Sequence, residues 1–380
     1  MEVRRFVLKA WPVVGILLVQ SFLLLAHWFI YHTCIAFWQL LSPAAALELR
    51  VTLLLLAFSF IVAALLSFRF SNLLVTFIYK IAAVWLGFLN FIFWAACLSW
   101  LFWYALLLSG LHSNPARIRP FILATLLDLA VLVCFYGLLN ARWIRIRRIT
   151  VKLPNLPEAW RGRTALILSD LHLGNVNGRG FCRRMVAIAS RLRPDIVFLP
   201  GDIFDGTKAD PDRLAAPFKE LCPPFGIYYA TGNHDEFGDT AQYFEALTRA
   251  GVRVLSNESV TVDGLFIVGV NYGDSTHLIR LRATLEALHL DPARASILLN
   301  HVPTRLPIVE EAGISLQISG HTHGGQMIPF TWITRRVFGN FTYGLQRFGR
   351  LQVYTSSGAG TWGPPMRVGT HPEMVLLQFE

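Results

Sequence analysis

Apolar residues fill the first third of the chain without the spacing of an amphipathic helix or a half-buried strand. Residues 11–31, 51–68 and 120–139 are three nearly unbroken apolar runs. A helix needs about 20 such residues to cross the hydrocarbon core of a bilayer, and one that is hydrophobic all round belongs in lipid or in a large core. Residues 73–108 form a fourth run, interrupted only by Lys80 and Asn90 and too long for one untilted span. We read it as one long span with an interfacial extension, the alternative being two short spans. Four spans put both ends of the chain on the same side of a membrane.

From about residue 141 the pattern changes to short apolar runs that alternate with helical spacing and polar turns. Strands are expected at 165–169, 195–200 and 226–230, near 252–255 and 265–270, at 295–299 and 316–319, and once more before the C-terminus. Helical spacing covers 182–192, 214–221 and 241–250. Such alternation predicts an α/β domain. Five of these strands run into turns that carry Asp, Asn or His: Asp170 and His172; Asp202; Asn233, His234 and Asp235; His301; and His321 and His323. Open α/β sheets build their sites in the crevice beyond the carboxyl ends of their strands, so these side chains are expected to converge. A core histidine lies on an apolar face, whereas most of these sit in polar, glycine-bounded turns. Gly201, Gly232 and Gly320 stand where the backbone must bend sharply and approach closely.

Composition sharpens the division. Of the 380 residues 54% are hydrophobic and 15% charged, with a mean hydropathy of +0.48, where a soluble chain carries about a quarter charged residues. Between Trp11 and Asn140 the full charges are Glu48, Arg50, Arg69, Lys80, Arg117, Arg119 and Asp128. The expected organisation is a transmembrane helical domain over 1–140, a basic linker over 141–160 and one enzyme-sized domain over 161–380. Cys34, Cys97, Cys134, Cys182 and Cys222 form no CxxC pair, which argues against a disulfide framework and against a thiolate metal site. The net charge of +10 comes with basic residues beside apolar segments, at Arg4 and Arg5 and at Arg142, Arg145, Arg147 and Arg148. With four spans, Arg4, Arg5, Lys9, Arg69 and the second cluster share one side, which the positive-inside rule makes cytoplasmic. The start resembles a twin-arginine export signal, but a plain first span is favoured because the run is long and other spans follow. Lys80 and Asp128 are read as a structural pair, or Lys80 as snorkelling to the interface, rather than as a transport path.

Carboxylate, amide and imidazole donors without thiolate suit Mn²⁺, with Fe or Zn²⁺ as alternatives, and argue against a structural zinc site. There are more donors than one ion with an open position can use, so two divalent ions are expected. A pair about 3.5–4 Å apart clamps the attacking and leaving oxygens of a phosphoryl transfer.

The same residues resemble the calcineurin-like metallophosphoesterase superfamily, whose blocks D-x-H, GD, GNH-D/E, H and GH-x-H all occur in that order within residues 165–380. The resemblance implies a fold in which an α-helical transmembrane bundle carries an α/β metallophosphoesterase domain, an αββα sandwich of two mixed sheets flanked by helices. It also implies that Asp170, His172 and His323 hold one ion, that Asn233, His301 and His321 hold the other, and that Asp202 bridges them. His234 would not bind metal; it would stabilise the transition state or protonate the leaving alkoxide. Asp205 matches the carboxylate that orients this histidine, its plainer reading being a turn-capping aspartate.

The motif details narrow the branch. The first block is Ser169-Asp170-Leu171-His172-Leu173-Gly174 and no arginine follows Asp235 as in phosphoprotein phosphatases, so protein phosphatase activity is not expected. Residues 320–326 and 356–365 look like the membrane-associated bacterial branch, one relative group of which cleaves UDP-2,3-diacylglucosamine. That resemblance implies an integral protein of a bacterial inner membrane, hydrolysing a phosphoester or pyrophosphate of a lipid or nucleotide-lipid. The alternative is a tethered nucleotide phosphodiesterase or nuclease, although no spread-out basic, aromatic groove marks a nucleic-acid partner. Residues 329–350 mix aromatic residues with Arg335, Arg336, Arg347 and Arg350. They suit either an anionic lipid interface or a loop capping the core.

Overall fold

The longest apolar runs become the longest helices. A computed structural model describes residues 2–38, 41–110 and 117–380, with side chains from residue 13 onward outside those gaps. The side chains of Arg4, Arg5 and Lys9, and the loop residues 111–116, lie outside the described residues. The chain divides into two compact units, Met1–Leu138 with Gly363–Pro365, and Leu139–Trp362 with Met366–Glu380.

The first unit holds α1 (Glu2–Phe37), α2 (Pro43–Arg69), α3 (Leu73–Ser109) and α4 (Arg119–Asn140). All four are long and apolar enough to cross a membrane. The run containing Lys80 and Asn90 is one helix of 37 residues, about 55 Å long at 1.5 Å per residue and so longer than a bilayer core. Ser42 caps α2 by accepting from the Ala45 amide, with Pro43 in the first turn, and Asn72 caps α3 by accepting from the Val75 amide. Small buried residues, Ala57 and Ala63 on α2 and Ala82, Ala83, Ala95 and Ala96 on α3, let these backbones approach closely. Polar groups are paired between helices: the Trp85 indole donates to His27 and that of Trp100 to Thr33, each at 3.0 Å. The Arg119 guanidinium lies over the rings of Phe37, Trp100 and Trp103 at 4.9, 5.3 and 4.8 Å. The expected pairing of Lys80 with Asp128 does not form; both are exposed on the helix surface and no ion pair joins them among the described residues.

The second unit contains strands β1 (Arg145–Val151), β2 (Thr164–Ile167), β3 (Ile196–Leu199), β4 (Ile227–Tyr229), β5 (Val252–Val254) and β6 (Glu258–Val262). After them come β7 (Leu265–Gly269), β8 (Ser296–Leu299), β9 (Leu316–Ser319), β10 (Gly344–Phe348), β11 (Leu351–Thr355) and β12 (Glu373–Phe379). Two six-stranded sheets result, ordered β1-β12-β2-β3-β4-β5 and β10-β11-β9-β8-β7-β6. The centre of each is parallel, with antiparallel pairs at β12–β2, β6–β7 and β10–β11.

The central strands are buried on both faces, so their sequences read as continuous apolar runs. On one face Ala165, Ile167, Ile196 and Phe198 meet Ile267, Ile297, Leu299 and Ile318 of the other sheet. The opposite face of the first sheet, including Leu166 and Val197, is covered by the helix Arg179–Leu192 through Cys182, Met185 and Val186. Val268 and Leu298 on the outside of the second sheet pack against Leu281, Leu285 and Val309. This is the expected αββα sandwich.

Three local expectations need correction. The basic linker contains a strand: Ile146, Ile149 and Val151 alternate with Arg145, Arg147 and Arg148 in β1, which pairs in parallel with β12 from Arg145 opposite Glu373. A cationic edge strand and a membrane-flanking cluster have the same composition, and the pairing partner lies at the far end of the chain. The helix at 214–221 is a short α-turn, Pro211–Ala215, followed by a 3₁₀ turn, Ala216–Glu220, which begins one residue before Pro217. Residues 329–350 are a helix, Phe330–Phe338, a 3₁₀ turn and β10.

Trp160 anchors the sandwich core. It is fully buried against Phe225 and Phe379, and its indole N–H donates to the Val262 carbonyl at 2.9 Å. Trp160→Ala is expected to cost about 3–5 kcal/mol. Thermal unfolding of the detergent-purified chain checks this, and an unchanged midpoint would contradict it.

Candidate metal centre

Because β2, β3 and β4 are parallel, and β8 and β9 likewise, their carboxyl ends deliver their loops to one edge of each sheet. Asp170, His172, Asp202, His321 and His323 all have a positive φ, between 46° and 68°. Non-glycine residues adopt that region at a cost of about 1–3 kcal/mol, and such strain gathers at functional sites. Glycines make the close approaches possible. At Gly201, itself at φ 105°, a Cβ would stand 2.6 Å from His301 Nδ1. A Cβ on Gly320 would run into the Asp170 carboxylate, and one on Gly232 into that of Asp202.

Among the described residues three overlapping donor groups result, Asp170, His172 and His323; Asp202, His301 and His321; and His172, Asp202 and His234, the donor atoms within each lying within 4.8 Å of one another. The first two share no residue and form two donor sets. His172 Nε2 is 3.0 Å from His323 Nε2, which is 3.5 Å from Asp170 Oδ1. Asp202 Oδ2 stands between the sets, 3.7 Å from His172 Nε2 and 3.1 Å from His301 Nε2. His301 Nδ1 faces the Pro200 carbonyl at 2.8 Å, a contact that fixes the Nδ1–H tautomer and leaves Nε2 free to coordinate. Asn233 joins the second set through its amide oxygen, 2.8 Å from His321 Nδ1. His172 Nδ1 is buried without a hydrogen-bond partner, and the buried His301 Nε2 faces the Asp202 carboxylate. Converging carboxylates and imidazoles of this kind fit divalent cations.

A calcineurin-like phosphoesterase family model matches residues 163–325. An uncharacterized metallophosphoesterase of Campylobacter jejuni is 30% identical over 67% of this chain and 69% of its own length. Another, from Aquifex aeolicus, is 32% identical over 66% of this chain and 98% of its own. This chain belongs to the calcineurin-like phosphoesterase family. A transmembrane protein with metallophosphoesterase domain from Danio rerio is 31% identical over 66% of this chain, which spans 61% of that relative. The solved structure of Haemophilus influenzae NAD nucleotidase aligns with 52% of this chain and 50% of its own, at 18% identity and a TM-score of 0.36. Family membership and the relatives' names support a phosphoester-hydrolysing enzyme.

Within this phosphoesterase site, electrostatics separates the donors. Burial holds His172 at about 3 and His321 at about 4, so both are neutral with a lone pair to offer. Burial also opposes protonation of His301, but the Asp202 carboxylate beside it outweighs that and raises it to about 9. Burial, reinforced by the charge of Asp202, raises Asp170 to about 6. Burial likewise disfavours the Asp202 carboxylate, yet His301 and the other imidazoles around it hold it far below the usual range.

His234 donates its backbone N–H to Asp202 Oδ1 at 2.8 Å, and one of its ring nitrogens comes within 4.8 Å of the donors of His172 and Asp202. Its Nδ1 is 3.3 Å from the backbone carbonyl of Asp205. The Asp205 carboxylate points elsewhere: it accepts from the Thr207 amide at 2.9 Å and the Asn175 amide at 3.2 Å. The expectation that this carboxylate orients His234 is therefore corrected. Asp205 caps its own turn, and its carbonyl meets the histidine.

Two buried charges escaped notice or role in the sequence. Asp235, placed within the GNH-D block, accepts from the amides of Asp202, Gly232 and Phe204 at 2.7, 2.8 and 2.9 Å, tying two ligand loops together. Arg367, fully buried, donates to the carbonyls of Ser357 and Gly360 at 2.6 Å each and of His323 at 3.2 Å. It clamps the loop whose Gly360 amide donates to the Asp170 carbonyl at 2.9 Å. An arginine 44 residues beyond His323 carries no local signal of this role.

Gly320→Ala is expected to push the Asp170 carboxylate aside and to lower retained metal several-fold with the fold intact. Metal analysis of the dialysed protein beside its circular dichroism checks this; wild-type metal content in the variant would contradict it.

Proposed function

We propose that the chain is a membrane-bound, dinuclear metal-dependent phosphoesterase that hydrolyses a phosphoester or pyrophosphate bond of a lipid-linked or nucleotide-lipid substrate, of the kind of UDP-2,3-diacylglucosamine. The carrying observation is the single carboxylate, Asp202, standing between two donor sets at the strand ends. In this reading Asp170, His172 and His323 would hold one ion, Asn233, His301 and His321 would hold the other, and Asp202 would serve both. Mn²⁺ suits the oxygen and nitrogen donors, with Fe and Zn²⁺ as alternatives. Divalent ions so held supply Lewis acidity toward phosphoryl oxygens and lower the pKa of water.

The chain's own groups do the rest. The neutral imidazoles and the two carboxylates position the centre, and the Asp235 and Arg367 bonds hold their loops in register. His234, its Nδ1 on the Asp205 carbonyl, donates a proton from its other nitrogen to the leaving alkoxide. Burial holds this imidazole below its ordinary value, opposed by the charge of Asp202 and the Asp205 carbonyl. Burial thus disfavours the doubly protonated ring this step uses and makes it the stronger acid once formed.

The substrate class rests on the four apolar helices, which put enzyme and lipid on one surface, and on the transmembrane relative of Danio rerio. The charge bias of Arg69 and residues 142–148 against Glu48, Arg50, Arg117 and Arg119 supports a cytoplasmic catalytic unit on a bacterial inner membrane. A green fluorescent protein fused after Glu380 is expected to fluoresce, and a periplasmic alkaline phosphatase at the same point to stay inactive. The opposite pair of results would reverse the orientation.

Hydrolysis by the detergent-purified chain with Mn²⁺ tests the chemistry on bis-p-nitrophenyl phosphate, UDP-diacylglucosamine, phosphatidic acid and nucleotides. Asp202→Asn is expected to abolish turnover on all of them. His234→Ala is expected to cost about 10²–10⁴-fold on alkyl esters and much less on p-nitrophenyl esters, whose leaving group needs no proton. Equal losses on both would remove His234 as the acid. Turnover of nucleotides with none of lipids would replace the lipid reading by a tethered nucleotide phosphodiesterase.

A further inference from the structure

Next to the metal centre, and sharing none of its candidate ligands, the catalytic unit holds a cavity of about 560 Å³. Arg147 of β1, Trp332 and Arg335 of the helix Phe330–Phe338, and Tyr343, Thr370 and His371 contribute to its wall. Gly324, the residue after His323, completes the side toward the metal centre.

The wall is basic. Two guanidiniums face the cavity and no carboxylate lines it among the described residues. The carboxylate nearest Arg147 is Glu373, at 3.8 Å. Glu373 is itself buried and already accepts from the hydroxyls of Tyr343 and Tyr354 at 2.7 and 3.0 Å and from the Ser357 amide at 3.1 Å. Arg335 makes no ion pair among the described residues. Burial, and then the charges of Arg145, Arg147 and Arg367, hold His371 below its ordinary range, a sign of the positive field here. A basic, carboxylate-free concavity bordered by hydroxyls suits a phosphate group.

The rim is apolar. The helix Phe330–Phe338 has no buried residue. At helical spacing Thr331, Trp332 and Arg335 turn to the cavity, whereas Phe330, Ile333 and Val337 share another face and are 47%, 55% and 69% exposed. Phe338 at the end of the helix meets the His321 ring at 5.9 Å between centroids. Apolar side chains left bare beside arginines are the composition of a surface that meets lipid headgroups and acyl chains together. One wall residue is held by the start of this unit: Asn140 donates a hydrogen bond to the Thr370 carbonyl at 2.9 Å.

We propose that this cavity binds the phosphate headgroup of an anionic membrane lipid, whose acyl chains lie along Phe330, Ile333 and Val337. Arg147 and Arg335 recognise the phosphate and the helix Phe330–Phe338 seats the chains. The site is independent of the metal-centre reading, since no candidate ligand belongs to its wall.

The test is photo-crosslinking of the full chain in phosphatidylcholine nanodiscs doped with a phosphatidic acid that carries a diazirine in one acyl chain. Label is expected on the peptide covering residues 328–338, displaced by unlabelled phosphatidic acid. Arg335→Gln is expected to reduce it about fivefold, the scale of one basic side chain at an anionic lipid surface. Ile333→Ser combined with Val337→Ser should reduce it as well, and both changes fall on exposed helix positions that the fold does not need. Equal labelling by a phosphatidylcholine probe, or undiminished labelling of Arg335→Gln, would overturn the proposal. Displacement by inorganic phosphate as efficient as by phosphatidic acid would assign the cavity to free phosphate and also overturn it.

Discussion

Two carboxylates, Asp170 and Asp202, are buried together among five imidazoles, and the rest of the catalytic unit is arranged around the cost of that burial. Taking an ionised carboxylate out of water costs several kcal/mol unless charge and hydrogen bonds compensate. Here compensation is partial and unequal. His301 stands 3.1 Å from Asp202 and favours its charge, while Asp170 has the His321 amide at 2.9 Å and the neighbouring Ser169 hydroxyl. The result is one carboxylate held ionised and another pushed up to about 6. A centre of this kind is completed by cations, and the neutral, lone-pair-bearing state of His172 and His321 points the same way.

Holding these groups in place requires backbone that ordinary turns do not provide. Five candidate ligands sit in the left-handed region, and glycines at 201, 232 and 320 leave the room that carboxylates and imidazole occupy. That strain is offset by bonds that cross from loop to loop. Asp235 gathers three amides, and Arg367 gathers carbonyls from residues far apart in the chain. Both are buried groups whose hydrogen bonds go mainly to backbone, which makes them positioning groups rather than reactants.

The two units obey different solvents. In the helical unit, backbone polar groups are satisfied within each helix, and several polar side chains pair between helices, as Trp85 does with His27 and Arg119 with its aromatic neighbours. In the catalytic unit, two sheets hide an apolar layer between them and release polarity only at the strand ends. The helix Phe330–Phe338 departs from this rule, exposing several apolar side chains on one face beside arginines.

Much of this was legible along the chain. The spans were, because a bilayer demands about 20 consecutive apolar residues and little else satisfies that demand. So were the strands that carry Asp170, Asp202, Asn233, His301 and His321, since doubly buried parallel strands are short apolar runs and their ligands follow at once. What depends on residues distant in sequence was not. β1 looked like a linker because its partner, β12, begins at Glu373. The Asp205 carboxylate could not be aimed from its place after Asp202, for the Thr207 and Asn175 amides decide where it points. Arg367 had no motif, and its role exists only where the loops meet. Local periodicity and spacing determine which side chains reach the site; the long-range packing of two sheets decides how each is held, because hydrogen-bond partners are set by proximity in space and not by order in the chain.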